Sequence, residues 1–156
     1  MIHGRRRLAA VGAALSLAIG VTRANAQVTV LTPLAFGTVI TGTTTSVGPS
    51  SASAASWRVH GSVGVAGVIS ISLPANLTRA GGGSMAITFC ATCGIYRINN
   101  SNPAGGTVFN PNAALILTIV VLSDLYVWIG GSVNPPLAQT PGSYSGTIVL
   151  TVTPLL

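Results

Sequence analysis

The chain has 156 residues, a formal net charge of +6 and a single side-chain acid, with no lysine and no glutamate. Four of its seven arginines (Arg5, Arg6, Arg7 and Arg23) lie near the N-terminus, which leaves Arg58, Arg79 and Arg97 against Asp124 and a balance of 3 − 1 = +2 for the rest. That balance excludes a nucleic-acid footprint, which needs basic residues clustered on one face. One acid also excludes the paired carboxylates of a glycosidase-type site.

Arg5-Arg6-Arg7 precede an uncharged apolar stretch from Leu8 to Val21, followed by Ala24-Asn25-Ala26. A positive start, a short apolar core and an Ala-x-Ala site read as a signal peptide at residues 1–26. The apolar stretch is too short to cross a bilayer core of about 30 Å. The arginines leave two export routes open, general secretion and the twin-arginine route. Residues 27–156 are then the exported chain, one domain by length and able to bury a core without a metal. Its surface has to be built from Ser, Thr, Asn, Gln and Gly, and so little charge favours self-association.

Gly and Pro recur every ten or so residues, with Val, Ile, Thr and aromatic residues between them, the pattern of many short strands. Trp57, Val59, Val63, Val65, Ile69, Ile71 and Leu73 hold odd positions against Arg58, His60, Ser62, Ser70 and Ser72. Two strands are predicted there, Ser56 to Gly61 and Val68 to Leu73, joined by a Gly-rich turn and ended by Pro74. Met85, Ile87 and Phe89 line one face of a third, and 99–106 and 110–112 are turn-rich loops.

Ala113 to Leu122 is apolar at both parities except Thr118, as in a strand buried on both faces or part of a membrane helix. Extending it to the roughly 20 residues of a spanning helix draws in Asp124, at a cost of about 2.5 kcal/mol or more near the centre. Strands are therefore expected over Ala114 to Leu122, carrying Leu115, Leu117, Ile119 and Val121, and over Leu125 to Val133. In the last strand, Thr147 to Thr153, Ile148, Leu150 and Val152 alternate with mostly Thr. Short strands at this spacing predict an all-β antiparallel sandwich with Greek-key connections.

Cys90-Ala91-Thr92-Cys93 is the one motif that suggests chemistry. A redox pair needs a helix N-terminus and a βαβ setting, which the residues do not provide, so a local turn disulfide is expected in an oxidising compartment. A zinc site would have to draw on Cys90, Cys93, His60 and Asp124, with no second pair spacing. A Cys/His/Asp nucleophilic site has the same small inventory. No cofactor is expected. Tyr144, between Gly142 and Gly146, is expected to bond backbone across a corner. Core packing is the default expectation for both Trp57 and Trp128, although Trp128 has the opposite parity from Leu125, Val127 and Ile129 and so has an outward alternative. An outward Trp128 beside Tyr126 would be a subunit contact or a glycan platform.

Three segments occur in order: Leu34-Ala35-Phe36-Gly37-Thr38-Val39, then Ile69-Ser70-Ile71-Ser72-Leu73-Pro74, then Ile129-Gly130-Gly131 continuing through Gln139-Thr140-Pro141-Gly142-Ser143-Tyr144-Ser145-Gly146-Thr147. Together they resemble a family of secreted bacterial pilin-like domains, related in pattern to spore coat protein U and to chaperone–usher fimbrial subunits. The resemblance implies an immunoglobulin-like sandwich and polymerisation by strand exchange. It also implies a periplasmic chaperone and an outer-membrane usher as partners and a final place at the cell surface. The segment Gln27 to Thr32, with Val28 and Val30 on one face, is the candidate donor, and Ile148, Leu150 and Val152 mark the candidate acceptor or chaperone-contact strand. Two departures stand out: the only cysteines are three residues apart, and the chain ends Pro154-Leu155-Leu156 without a nearby aromatic residue. The competing expectation is a self-contained adhesive or carbohydrate-binding sandwich.

Overall fold

A computed structural model describes residues 26–61, 65–119 and 123–154. The proposed leader, apart from Ala26, and Val121 of the apolar run lie outside the described residues. Among the described residues the protein is all-β, and no helix is long and apolar enough to cross a membrane.

In chain order the strands are β1 (Gln27–Thr32), β2 (Thr45–Val47), β3 (Ala55–His60), β4 (Val65–Ser72), β5 (Asn76–Arg79), β6 (Ser84–Thr88) and β7 (Gly94–Ile98). There follow β8 (Thr107–Phe109), β9 (Leu115–Ile119), β10 (Asp124–Ile129), β11 (Gly131–Val133), β12 (Tyr144–Ser145) and β13 (Val149–Pro154). One sheet has the order β1-β3-β10-β7-β8, and a three-stranded sheet β13-β4-β9 packs against it. A third group, β12-β5-β6-β11-β2, extends the second layer. All the pairings are antiparallel.

The core follows from strand alternation. Val59 and Trp57 of β3 stand opposite Leu125 and Val127 of β10, and all four are buried with Ile129, Ile69 and Leu150. In β6, Met85 and Ile87 are buried while their neighbours are exposed, and they form a smaller cluster with Val133. The predicted strands before and after the Gly-rich turn, the Met85 and Ile87 strand, and the last strand are all present, with ends shifted by a few residues.

Two expectations need correction. The apolar run was expected to be buried on both faces, but β9 is an edge strand paired only with β4, and Ile116 on its outward side is 70 % exposed. Leu115 and Leu117 are the half-buried, inward residues of that strand. Leu125 to Val133 was expected as one strand, yet it divides at Gly130: β10 belongs to the first sheet and β11 to the extended second layer. The Gly130 amide donates to the Cys93 carbonyl at 2.9 Å. A Cβ at Gly130 would run into the Val47 carbonyl oxygen and come within 2.8 Å of the Pro49 nitrogen. The chain changes layers where only glycine lets two backbones pass.

Gly130→Ala should therefore cost about 3 kcal/mol, the upper end for overpacking, because the clash is with backbone that cannot rotate away. Gly48→Ala, where the added Cβ meets nothing within 4 Å, should stay within about 0.5 kcal/mol. Urea unfolding of both variants checks the contrast.

Candidate functional site

The two strands singled out as donor and acceptor form neighbouring edges. Among the described residues β1 pairs only with β3 and β13 only with β4, and β1 and β13 approach each other across the side of the sandwich. In β13, Leu150 is buried, and Val152 and the preceding Ile148 are half-buried against the main core. In β1, Val28 stands opposite Val59 and Val30 opposite Trp57, so both valines point to the core side. They nevertheless remain 38 % and 64 % exposed. The pairing register shifts between Val30 and Thr32. β1 is thus joined by its backbone and poorly covered by its side chains.

The chain then runs from Pro33 to Thr44 without strand structure. Leu34, Phe36 and Val39 turn inward, half-buried against the Met85, Ile87 and Val133 cluster. Two described backbone bonds tie this stretch to the body: the Ala35 amide donates to Ser53 at 3.0 Å, and the Gly42 amide donates to Pro135 at 2.8 Å. An open cleft of about 1050 Å³ lies here, walled by this stretch and by Val30, Trp57, Leu77, Met85, Ile87 and Ile148. A cleft that large and apolar fits an extended chain.

Tyr144 stands on the rim. Its hydroxyl donates to the Thr140 carbonyl at 2.7 Å, four residues upstream, and accepts from Gln139 Nε2, which also donates to the Ser84 carbonyl at 3.1 Å. The corner bond expected of Tyr144 is present, and it pins the 139–144 turn beside the cleft.

A second cluster lies on the outward face of the first sheet, where even-numbered residues of β3 and β10 meet. Arg58 Nη2 is 2.9 Å from Asp124 Oδ2, and His60 Nδ1 is 2.7 Å from Asp124 Oδ1. The Asp124 amide donates to Asn99 Oδ1 at 2.9 Å, and the Asn99 amide donates to the Asp124 carbonyl at 2.7 Å. Hydrogen bonds from Arg58 and then His60 hold the Asp124 carboxyl below the usual carboxylate range. His60 and Asp124 do meet, but Cys90 and Cys93 are bonded to each other with Cα atoms 5.0 Å apart, so no thiol serves them. The Cys93 amide donates to the Cys90 carbonyl, which makes the pair a local turn disulfide.

Trp128 is buried, as core packing by default expects, and not exposed as its parity allowed. It does face away from the core strands, yet it is only 6 % exposed. Tyr126 stacks on it with ring centroids 6.0 Å apart, and its cross-strand neighbours Ser56 and Ile95 are buried too. Trp128 is thus buried and Tyr126 half-buried, and the pair is no open platform for a sugar ring.

Sequence reasoning did not find the Arg58, Asp124 and His60 cluster, which depends on the pairing of β3 with β10. Nor did it give a place to Leu34, Phe36 and Val39. Their spacing carried a signal, since Leu34 and Phe36 alternate like a strand.

Fold and site define an antiparallel β-sandwich with one side closed by its first strand and by a stretch that belongs to neither sheet. The chain belongs to the DUF4402 family, a domain of unknown function, whose model matches residues 10–153. No curated protein and no solved structure matches it.

Two outcomes test the site's chemistry. Tyr144→Phe should lower stability by about 1 kcal/mol, the usual net worth of a hydrogen-bonded hydroxyl, measured by urea unfolding. Asp124 has a folded pKa below its unfolded value of about 3.9, so its contribution is complete above that value and lost as pH falls through the folded one. Unfolding midpoints should drop on acidification below about pH 4 in the native chain. In Asp124→Asn, which lacks the sole side-chain acid, the acid-dependent drop should largely vanish.

Proposed function

We propose that this protein is an exported structural subunit that associates with copies of itself into a surface pilus or fibre by exchange of β-strands. The observation that carries the reading is the state of β1. It is an edge strand whose core-side valines are largely uncovered, beside an apolar cleft that Ile148, just before β13, also lines. A strand held mainly by its backbone ladder to β3 is easily replaced by the same strand of a neighbour, which restores that ladder.

Three further features support it. The pattern resembles pilin-like domains, spore coat protein U and chaperone–usher subunits, in which an immunoglobulin-like sandwich is completed by another chain. Residues 1–26 read as an export signal, consistent with a periplasmic stage in which a chaperone covers the β1 and β13 side before an usher passes the subunit to the surface. The exported part has almost no charge to oppose self-association. In this reading Val28 and Val30 are donor contacts, and Ile148, Leu150 and Val152 belong to the acceptor wall. An adhesive module that binds sugar on Tyr126 and Trp128 fits less well, because Trp128 is buried.

The test compares residues 27–156 with the same chain lacking 27–33, by light scattering and urea unfolding. The longer chain should associate with rising concentration. The shorter one should lose that association and unfold at lower urea. If both stay monomeric and equally stable, the reading is wrong.

A further inference from the structure

The cleft is bounded by this chain's own Pro33–Val39 stretch as much as by β1. Leu34, Phe36 and Val39 reach Met85, Ile87 and Val133, and residues 33–39 form one wall of the cleft. If β1 alone left its place, this stretch would stay seated and narrow the space that an arriving strand has to enter. Pro33 follows β1 directly, and its fixed φ couples the strand to the stretch behind it.

We propose that the unit exchanged between two copies is the whole of residues 27–39, β1 with the inward-facing stretch, swinging about a hinge at Ile40–Thr43. The proposal rests on the strand-exchange reading and specifies its partner as a second copy of this chain.

The hinge is a compact turn. The Thr43 amide and hydroxyl both donate to the Ile40 carbonyl, at 3.3 and 2.7 Å, and Gly42 sits at φ +75°. Beyond it, β2 is anchored in the second layer by β11. The hinge divides a segment that is held to the body by backbone pairing but poorly covered by side chains from the rest of the chain. Opening it breaks the two local Thr43 bonds and the bond from the Gly42 amide to the Pro135 carbonyl, and the swapped segment regains in its neighbour every contact it made at home. Such like-for-like replacement is what makes domain swapping inexpensive in free energy. Four extended residues reach about 14 Å, enough for two bodies to stand side by side.

The hinge also bears an exposed apolar pair. Ile40 is 69 % and Leu137 83 % exposed, and the Leu137 side chain lies against Gly42. Large uncovered aliphatics at one turn mark a contact surface. In the swapped arrangement the two chains cross at this turn, so this pair would be covered there.

Two cysteine pairs in residues 27–156 separate the possibilities. Thr29 and Arg58 are cross-strand partners of β1 and β3, while Ala35 and Ser53 join the inward stretch to the body. Thr29→Cys with Arg58→Cys, and Ala35→Cys with Ser53→Cys, are each assembled, oxidised and run on denaturing gels without reductant. Both should give ladders of linked chains that collapse to monomer on reduction. If the first pair ladders and the second yields only linked monomer, β1 exchanges alone; this proposal is then wrong and strand exchange stands. Neither pair laddering, or no association at all, removes both.

The hinge supplies an independent readout. Deleting Thr41 and Gly42 should drive the chain from monomer into dimers and larger species by light scattering. Inserting six Gly and Ser residues after Gly42 should leave a folded monomer that associates at least ten-fold less. If the lengthened hinge associates as readily as the native one, the hinge is not at Ile40–Thr43.

Discussion

An antiparallel sheet ends in backbone that seeks a partner, and natural sheets ordinarily blunt that tendency with lysines, prolines or inward charges at their edges. This chain has almost none of the charged means, although Pro154 ends the edge strand β13. Beyond its N-terminal arginines it has three cations, one anion and no lysine, and the anion is committed to Arg58 and His60. β1 carries only Gln, Val, Thr and Leu, and the described part of β9 only Leu, Ile and Thr. The edges therefore depend on coverage, by the chain itself or by another copy.

That dependence is uneven. In the centre, β10 is paired on both sides and carries Leu125, Val127 and Ile129 into the core, with Trp128 stacked against Tyr126. Its change of layer at Gly130 joins the first sheet to the second, so the body holds together without help from β1. On the β1 side, the segment from Gln27 to Val39 gives its backbone ladder to β3 and a few half-buried side chains to the core. A firm body with a first strand held mainly by its backbone divides naturally into a part that folds and a part that can be traded.

Much of the architecture was legible in the sequence. Alternation placed Trp57 and Val59 in the core, set Ile148, Leu150 and Val152 on the inward side of the last strand, and brought Met85 and Ile87 onto one face. Tyr144 found its corner because two glycines and a proline shape the turn around it. The misses share a cause. Periodicity reports which way a side chain points and not what lies on that side. Hence Ile116 was read as covered, although nothing among the described residues lies over it, and the outward alternative for Trp128 took no account of what buries that face. The short strands β2, β11 and β12 are two or three residues long and have no period to detect.

The site was legible by halves. The candidate donor and acceptor strands were visible as apolar alternations at the two ends of residues 27–156, whereas their meeting along one side of the sandwich depends on the partners of β1 and β13. Leu34, Phe36 and Val39 carried the family likeness, but their role as cleft filler needed the third dimension.

The most direct measurement of strand exchange is magnetisation transfer by solid-state NMR in assemblies made from equal amounts of isotopically distinct chains. The Val28 and Val30 methyl groups of one isotopic kind should show contacts to Val59 and Trp57 of the other. Contacts confined to chains of the same kind would mean that β1 never leaves home, and would contradict strand exchange.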